Sequence, residues 1–354
     1  MGQSMKIEAR AALCLILLLS SCSGERSTAV ELALQTSGTT VRLQAVSVVD
    51  ENIVWASGLD GTVLITTDGG DTWAAISVAG AESLQLRDID AIDDRTAYVL
   101  SSGTGEDSRI FKTVDGGVTW IQQYVNPDPE GFLDCMGFWD ATHGAVYGDA
   151  VDGSLVVLTT DNGESWTRVP DTNLPEALPG EGGFAASGTC LITHGDSVGY
   201  IATGAASEAR VLKTHDRGLT WAAAAAPLGD GTGNTGLTTV GMHDGLTGMA
   251  AGGDISRPES HINNIAVTVD GGSTWSLGSP TVFPGAVYGV AVVPGAATPT
   301  VVAVGPGGAD YSADNGETWE QLDSREYWSV AFANQAAGWA VGPDGRIAKI
   351  SFMR

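Results

Sequence analysis

"TTDGGDTW", residues 66–73, closes the apolar run "GTVLITT" (61–67) with an Asp, two glycines, a second Asp, a Thr and a Trp. Taken alone it has the look of an acidic, glycine-rich ligand loop. The chain repeats it, however, as "TVDGGVTW" (113–120), "TTDNGESW" (159–166), "THDRGLTW" (214–221), "TVDGGSTW" (268–275) and "SADNGETW" (312–319). With Asp68, Asp115, Asp161, Asp216, Asp270 and Asp314 as markers, the intervals are 47, 46, 55, 54 and 44 residues. Self-similarity at that period signals a propeller or a solenoid, so the octet reads as architecture before it reads as a site.

The first repeat resolves into four short strand-like runs: "LQAVSVV" (43–49), "IVWASG" (53–58), "GTVLITT" (61–67) and "TWAAISV" (72–78). Asp, Asn and Gly punctuate them, as expected of strands joined by tight turns. Four antiparallel strands per repeat describe a β-propeller blade, with the octet turning between the third and fourth strands. Within it, the Gly supplies a positive φ, and the marker Asp folds its carboxylate onto nearby N–H groups. Trp73, Trp120, Trp166, Trp221, Trp275 and Trp319 begin the outer strands and are expected to cover the gap to the adjoining blade.

These octets match the S-x-D-x-G-x-T-W signature of the BNR or Asp-box repeat, which the chain resembles over roughly residues 41–322. That resemblance implies an all-β propeller and says little of function, because sialidases, other glycosidases and non-enzymatic propellers share it. Blades are expected at 41–80, 84–125, 131–170, 181–226, 236–280 and 284–322. Residues 326–354 hold three more runs and no octet, whereas "AVELALQTS" (29–37) is an unassigned strand before the first blade. Pairing the two would close a seven-bladed ring without a free edge.

Ahead of the propeller, Lys6 and Arg10 precede the apolar "AALCLILLL" (11–19), and "LSSC" (19–22) follows. This resembles a bacterial lipobox, implying a signal peptide over 1–21, lipid on Cys22, a tether over 22–28 and an extracytoplasmic, membrane-anchored location in the cell envelope. Such a compartment permits oxidation of Cys135 and Cys190, which lie at matching places in adjacent repeats. A disulfide and two buried thiols both remain open at this stage.

With 42 acids against 17 bases, the formal net charge is −25, a field that repels phosphate backbones and excludes nucleic acid as a natural partner. No zinc spacing, Gly-x-Ser-x-Gly elbow or Walker loop occurs, and the octets have too few oxygens for calcium, so neither a metal nor a cofactor is expected. A sialidase-like hydrolase would carry an Arg-Ile-Pro motif and a recognisable arginine triad, neither visible here; another kind of glycoside hydrolase needs only two suitably spaced carboxylates. A binding or assembly module is preferred to catalysis. With its boxes, their spacing and its export signal, the chain is similar to the photosystem II stability and assembly factor family, whose members hold a protein partner. It departs from them in its acidity.

A protein or small polar ligand is expected on the loop face, opposite the octets. The candidate residues there are Arg87, Asp88, Asp134, Asp149, Glu181, Asp254, Arg257, His261, Asp310, Tyr311, Tyr327 and Trp328.

Overall fold

The computed structural model describes residues 29–229, 232–260 and 263–353. The expected signal peptide (1–21), Cys22 with the expected tether (22–28), and His261 lie outside the described residues.

Twenty-eight strands form seven four-stranded antiparallel sheets. Their inner strands are Leu43–Val48, Leu86–Ala91, Leu133–Phe138, Leu191–His194, Thr235–Met242, Gly289–Val292 and Ser329–Asn334. Each inner strand packs against the next and the seventh against the first, so the sheets are the blades of a closed propeller. The last blade is completed by Ala29–Gln35, which pairs antiparallel with Ile347–Met353 from Ala29↔Met353 to Gln35↔Ile347. Val30 and Leu32 pack there against Ile350 and Phe352. The strand that opens the described chain thus supplies the outer edge of the blade that ends it.

The core lies between blades, where each sheet buries its faces against its neighbours. Trp55 and Trp339, both fully buried, are its largest members.

The octet turns sit on one face beside the turns that join first and second strands: the Gly69 and Gly116 N–H groups bond to the carbonyls of Asn52 and Arg95. In the first octet, Asp68 Oδ1 accepts from the Thr72 N–H at 2.9 Å, Oδ2 from the Thr72 hydroxyl at 2.6 Å, and the Thr66 hydroxyl donates to Oδ1 at 2.7 Å. Asp115, Asp216, Asp270 and Asp314 repeat this pattern.

The third octet departs from it. There Asn162 Oδ1, not Asp161, accepts from the Glu164 and Ser165 N–H groups at 2.8 and 3.1 Å. The other five turns have two successive left-handed residues, such as Gly69 and Gly70; this one has only Gly163. It therefore closes one residue shorter, and the acceptor moves one place along.

The turns also clasp adjacent blades. The Gly163 carbonyl accepts from the Tyr98 hydroxyl, Lys112 Nζ and Gln123 Nε2 of the preceding blade at 3.0, 2.9 and 2.8 Å. Lys213 and Tyr200 hold Gly271 in the same way, and Lys349 and Gln35 hold Gly69. All three lysines among the described residues serve as such clasps. The Trp73 indole N–H donates to Gln35 and that of Trp166 to Gln123, so these two tryptophans do span the gap between blades.

Candidate functional site

At the loop face, residues 183–189 lie across the end of the axial channel as a plug. They leave the third blade and enter the fourth, yet touch the far side of the ring. The Ser187 hydroxyl donates to the Tyr288 carbonyl at 2.7 Å, and the Ser329 hydroxyl donates to the Ser187 carbonyl at 2.9 Å. Arg87 Nη1 donates to the Ala185 carbonyl at 3.2 Å, and the Val240 N–H donates to the Thr189 carbonyl at 3.1 Å. The segment "GFAASGT" can follow so tight a path because its glycines admit close approach: a Cβ on Gly188 would lie 2.2 Å from Asp88 Oδ1. Cys190, next in sequence, is disulfide-bonded to Cys135 of the third blade's inner strand, with Cα atoms 5.9 Å apart.

Buried carboxyls hold the base of the plug. Glu181 forms a two-point ion pair with Arg210, in which Nε donates to Oε1 at 2.9 Å and Nη2 donates to Oε2. The same carboxylate accepts from the Thr203 hydroxyl and the Leu178 N–H. Asp149 Oδ1 accepts from the Gly183 N–H at 3.0 Å. Burial, together with the charge of Asp149, holds the Asp134 carboxyl well above the usual range, while Asp149 is raised mainly by its own burial. Burial and mutual repulsion thus both oppose ionisation of the two carboxyls together.

Three of the inner strands bulge at their second residue, at Gln44, Arg87 and Asp134, and the fifth blade's inner strand bulges at Thr238. Gln44, Asp134 and Thr238 are buried there, whereas Arg87 is half-buried. Around the plug this leaves a patch of guanidinium and aromatic groups. Arg42 stacks over Trp328 with its Cζ 4.4 Å from the ring centroid, and Tyr288 meets Trp328 edge to face at 5.0 Å. Arg42, Arg87, Tyr288 and Trp328 are all half-buried. Burial and the neighbouring Arg42 charge lower the Arg87 pKa, which places the two guanidiniums on one surface. Trp328 is steadied by its indole N–H, which donates to Glu326 at 2.8 Å.

The expected residues therefore separate. Arg87, Asp134, Asp149, Glu181 and Trp328 gather at the plug. Asp88 lies behind it in the channel. Asp254 and Arg257 pair with each other at 2.9 Å on a different loop, beside a cavity of about 180 Å³. Asp310 is an internal strap that accepts the Val282 and Phe283 N–H groups. Tyr311 packs against Phe352 at the seventh-blade seam, and Tyr327 is buried with its hydroxyl on Asp323. Neither of these two reaches the mouth: strand alternation turns Tyr311 toward the seam, and the loop before the seventh inner strand folds Tyr327 inward onto Asp323. Arg42, Tyr288 and Arg210 were not among the expected residues. Arg42 and Tyr288 were open to recognition as neighbours of inner-strand starts in "VRLQA" and "VYGVA".

No family model matches the chain. Of solved structures, it superimposes on YCF48 bound to D1 peptide with a TM-score of 0.63 and 17% identity, covering 92% of this chain and 97% of that one. YCF48 from Cyanidioschyzon merolae also gives 0.63, at 17% identity and 90% and 98% coverage. This chain is similar to Ycf48. In sequence it is 29% identical over 175 residues to the photosystem II assembly lipoprotein Ycf48 of Synechococcus sp. (strain CC9902), spanning 48% of this chain and 46% of that protein. A stretch of 169 residues is 27% identical to xyloglucanase Xgh74A of Acetivibrio thermocellus, spanning 39% of this chain and 20% of the enzyme. The matches thus cover less than half the length of either curated relative. The solved Ycf48 structures share the seven-bladed fold.

Proposed function

We propose that this propeller is a lipid-anchored envelope scaffold that binds a protein partner on its plugged loop face. The observation that carries the reading is the Arg42–Trp328–Tyr288–Arg87 patch, which concentrates cationic and aromatic groups on a chain of net charge −25. Such groups suit a partner segment that brings a carboxylate together with apolar side chains. The fold shared with Ycf48, one structure of which holds D1 peptide, supports a peptide or protein partner over a sugar. The buried Asp134–Asp149 pair supports the same choice, since hydrolysis of a glycoside needs two carboxyls flanking an accessible bond, and Asp134 is shut beneath the plug.

Anchoring rests on "LSSC" (19–22). Cys22→Ser is expected to move the protein from the membrane to the soluble fraction; identical fractionation of variant and parent would overturn the anchor. For the binding surface, peptides ending in Phe-Ala with a free carboxylate are compared with their C-terminal amides on immobilised protein. Binding is expected to need the carboxylate and to fall at least tenfold in Arg42→Ala/Arg87→Ala. Equal retention of the amide, or no change in the double variant, would overturn it.

A further inference from the structure

Below the plug, the axial space is a cavity of about 420 Å³, within the range of small-molecule sites. Its wall runs from Ser187 and Gly188 down to the last residues of the inner strands, Val48, Met242 and Val292 among them, so it opens on the octet face. The plug bars approach from the loop face.

The wall is apolar around most of the ring and acidic on one side. Asp88 and Asp90, two residues apart on the second blade's inner strand, face the same way, and they are the only charged side chains lining it. Asp88 is committed: Oδ1 accepts from the Ile89 N–H at 2.7 Å and Oδ2 from the Met136 N–H at 2.6 Å. Asp90 is committed at one oxygen only, with Oδ2 accepting from the Phe138 N–H at 2.9 Å. Its Oδ1 has no hydrogen bond among the described residues, and the residue is half-buried at the cavity wall.

We propose that this cavity binds a small alkylammonium ion, its charged head on Asp90 Oδ1 and its alkyl part against the opposite apolar wall. Ala291, Val292 and Ala331, half-buried on the sixth and seventh blades, supply that wall. A primary ammonium needs few fixed acceptors and pairs with a single carboxylate oxygen. A hard metal cation wants six or more oxygens, and among the described residues no group of three ligating side chains exists to provide them. The acidity of the whole chain raises the local concentration of cations. Burial lifts the Asp90 carboxyl to about 7 and holds Asp88 well above its usual range. The titratable groups close enough to feel the Asp90 charge are Asp88 on the same strand and Tyr98, its cross-strand partner on the blade's second strand, and neither is a cation, so ammonium binding opposes protonation at the acidic wall and weakens as pH falls below 7.

The probe is n-butylammonium, with n-butanol as its uncharged counterpart, followed by titration calorimetry and saturation-transfer NMR at pH 8 and pH 5.5. Parent protein is expected to bind the ammonium at least tenfold more tightly than the alcohol, and more tightly at pH 8. Asp90→Asn, which keeps an acceptor for the Phe138 N–H, should lose at least tenfold. Ala291→Phe, which fills the cavity without touching charge, should abolish binding. The loop-face variant Arg42→Ala/Arg87→Ala should bind the ammonium like the parent, which separates this site from the proposed protein surface. Equal affinity for the alcohol, or undiminished affinity in either cavity variant, overturns the proposal.

Discussion

Glu181→Gln tests how the plug is held. The substitution keeps the shape of the side chain and one acceptor oxygen, but leaves the Arg210 guanidinium, itself buried, without a counter-charge. Glu181 accepts four hydrogen bonds, two of them from Arg210. Bonds between charged groups contribute roughly 1.5–3 kcal/mol each. Breaking a buried pair from one side typically costs about 3–5 kcal/mol, because the remaining charge is stranded. For a domain of this size that corresponds to a fall of roughly 4–7 °C in Tm. Scanning calorimetry at pH 7 measures it. The companion variant, Glu181→Met/Arg210→Met, removes both charges and should melt above the single variant, since apolar replacement of a whole buried pair is often near neutral. A single variant that melts within a degree of the parent, or a double variant that melts no higher than the single, would refute the reasoning.

In the third octet, Asn162→Ala should lower stability by roughly 0.5–1.5 kcal/mol through loss of the Glu164 and Ser165 N–H acceptor, while Asp161→Ala should be close to silent in urea melts; the opposite order would restore Asp161 as the turn acceptor. Replacing both Cys135 and Cys190 by Ser opens a loop of 55 residues, for which chain entropy predicts a loss of about 4 kcal/mol, read as a lower urea midpoint. Asp90 gives a pH signature. Its folded pKa of about 7 lies above the ordinary aspartate value of 3.8, so the native state holds the extra proton and the stabilisation is complete below about pH 4. It is lost as pH rises toward 7. The parent should therefore lose stability relative to Asp90→Asn across that window, and a pH-independent difference between the two would contradict the assignment.

The octets made the blades legible because the same Asp, Gly and Trp recur at one local geometry, and a turn is specified by residues adjacent in sequence. The closing strand was legible for a related reason: three runs after residue 326 lacked a partner and residues 29–37 lacked a blade. The site was less so. Asp254, Asp310 and Tyr311 occupy loops or strand ends resembling those of Asp149 and Trp328, and only the rotation of each blade decides which of them meet. The plug was hidden because "GFAASG" has no charge or period; what defines it is contact with Tyr288 and Ser329, more than a hundred residues away. The shortened third turn escaped notice because its octet has the same length and the same Asp, Gly and Trp places as the others, and one missing left-handed residue changes which side chain accepts.

The pairing of Ala29–Gln35 with Ile347–Met353 also has a kinetic meaning. The partners of this seam lie over 300 residues apart, so Ala29–Gln35 emerges from synthesis long before its mate. Closing so long a loop is entropically slow, and until it happens the seventh sheet presents an unpaired edge to any neighbouring chain. Blades one to six contain all their own strands and can form in order as the chain appears. Ring closure is then a late, separate event, and the open-edged intermediate is the species in which aggregation competes with folding.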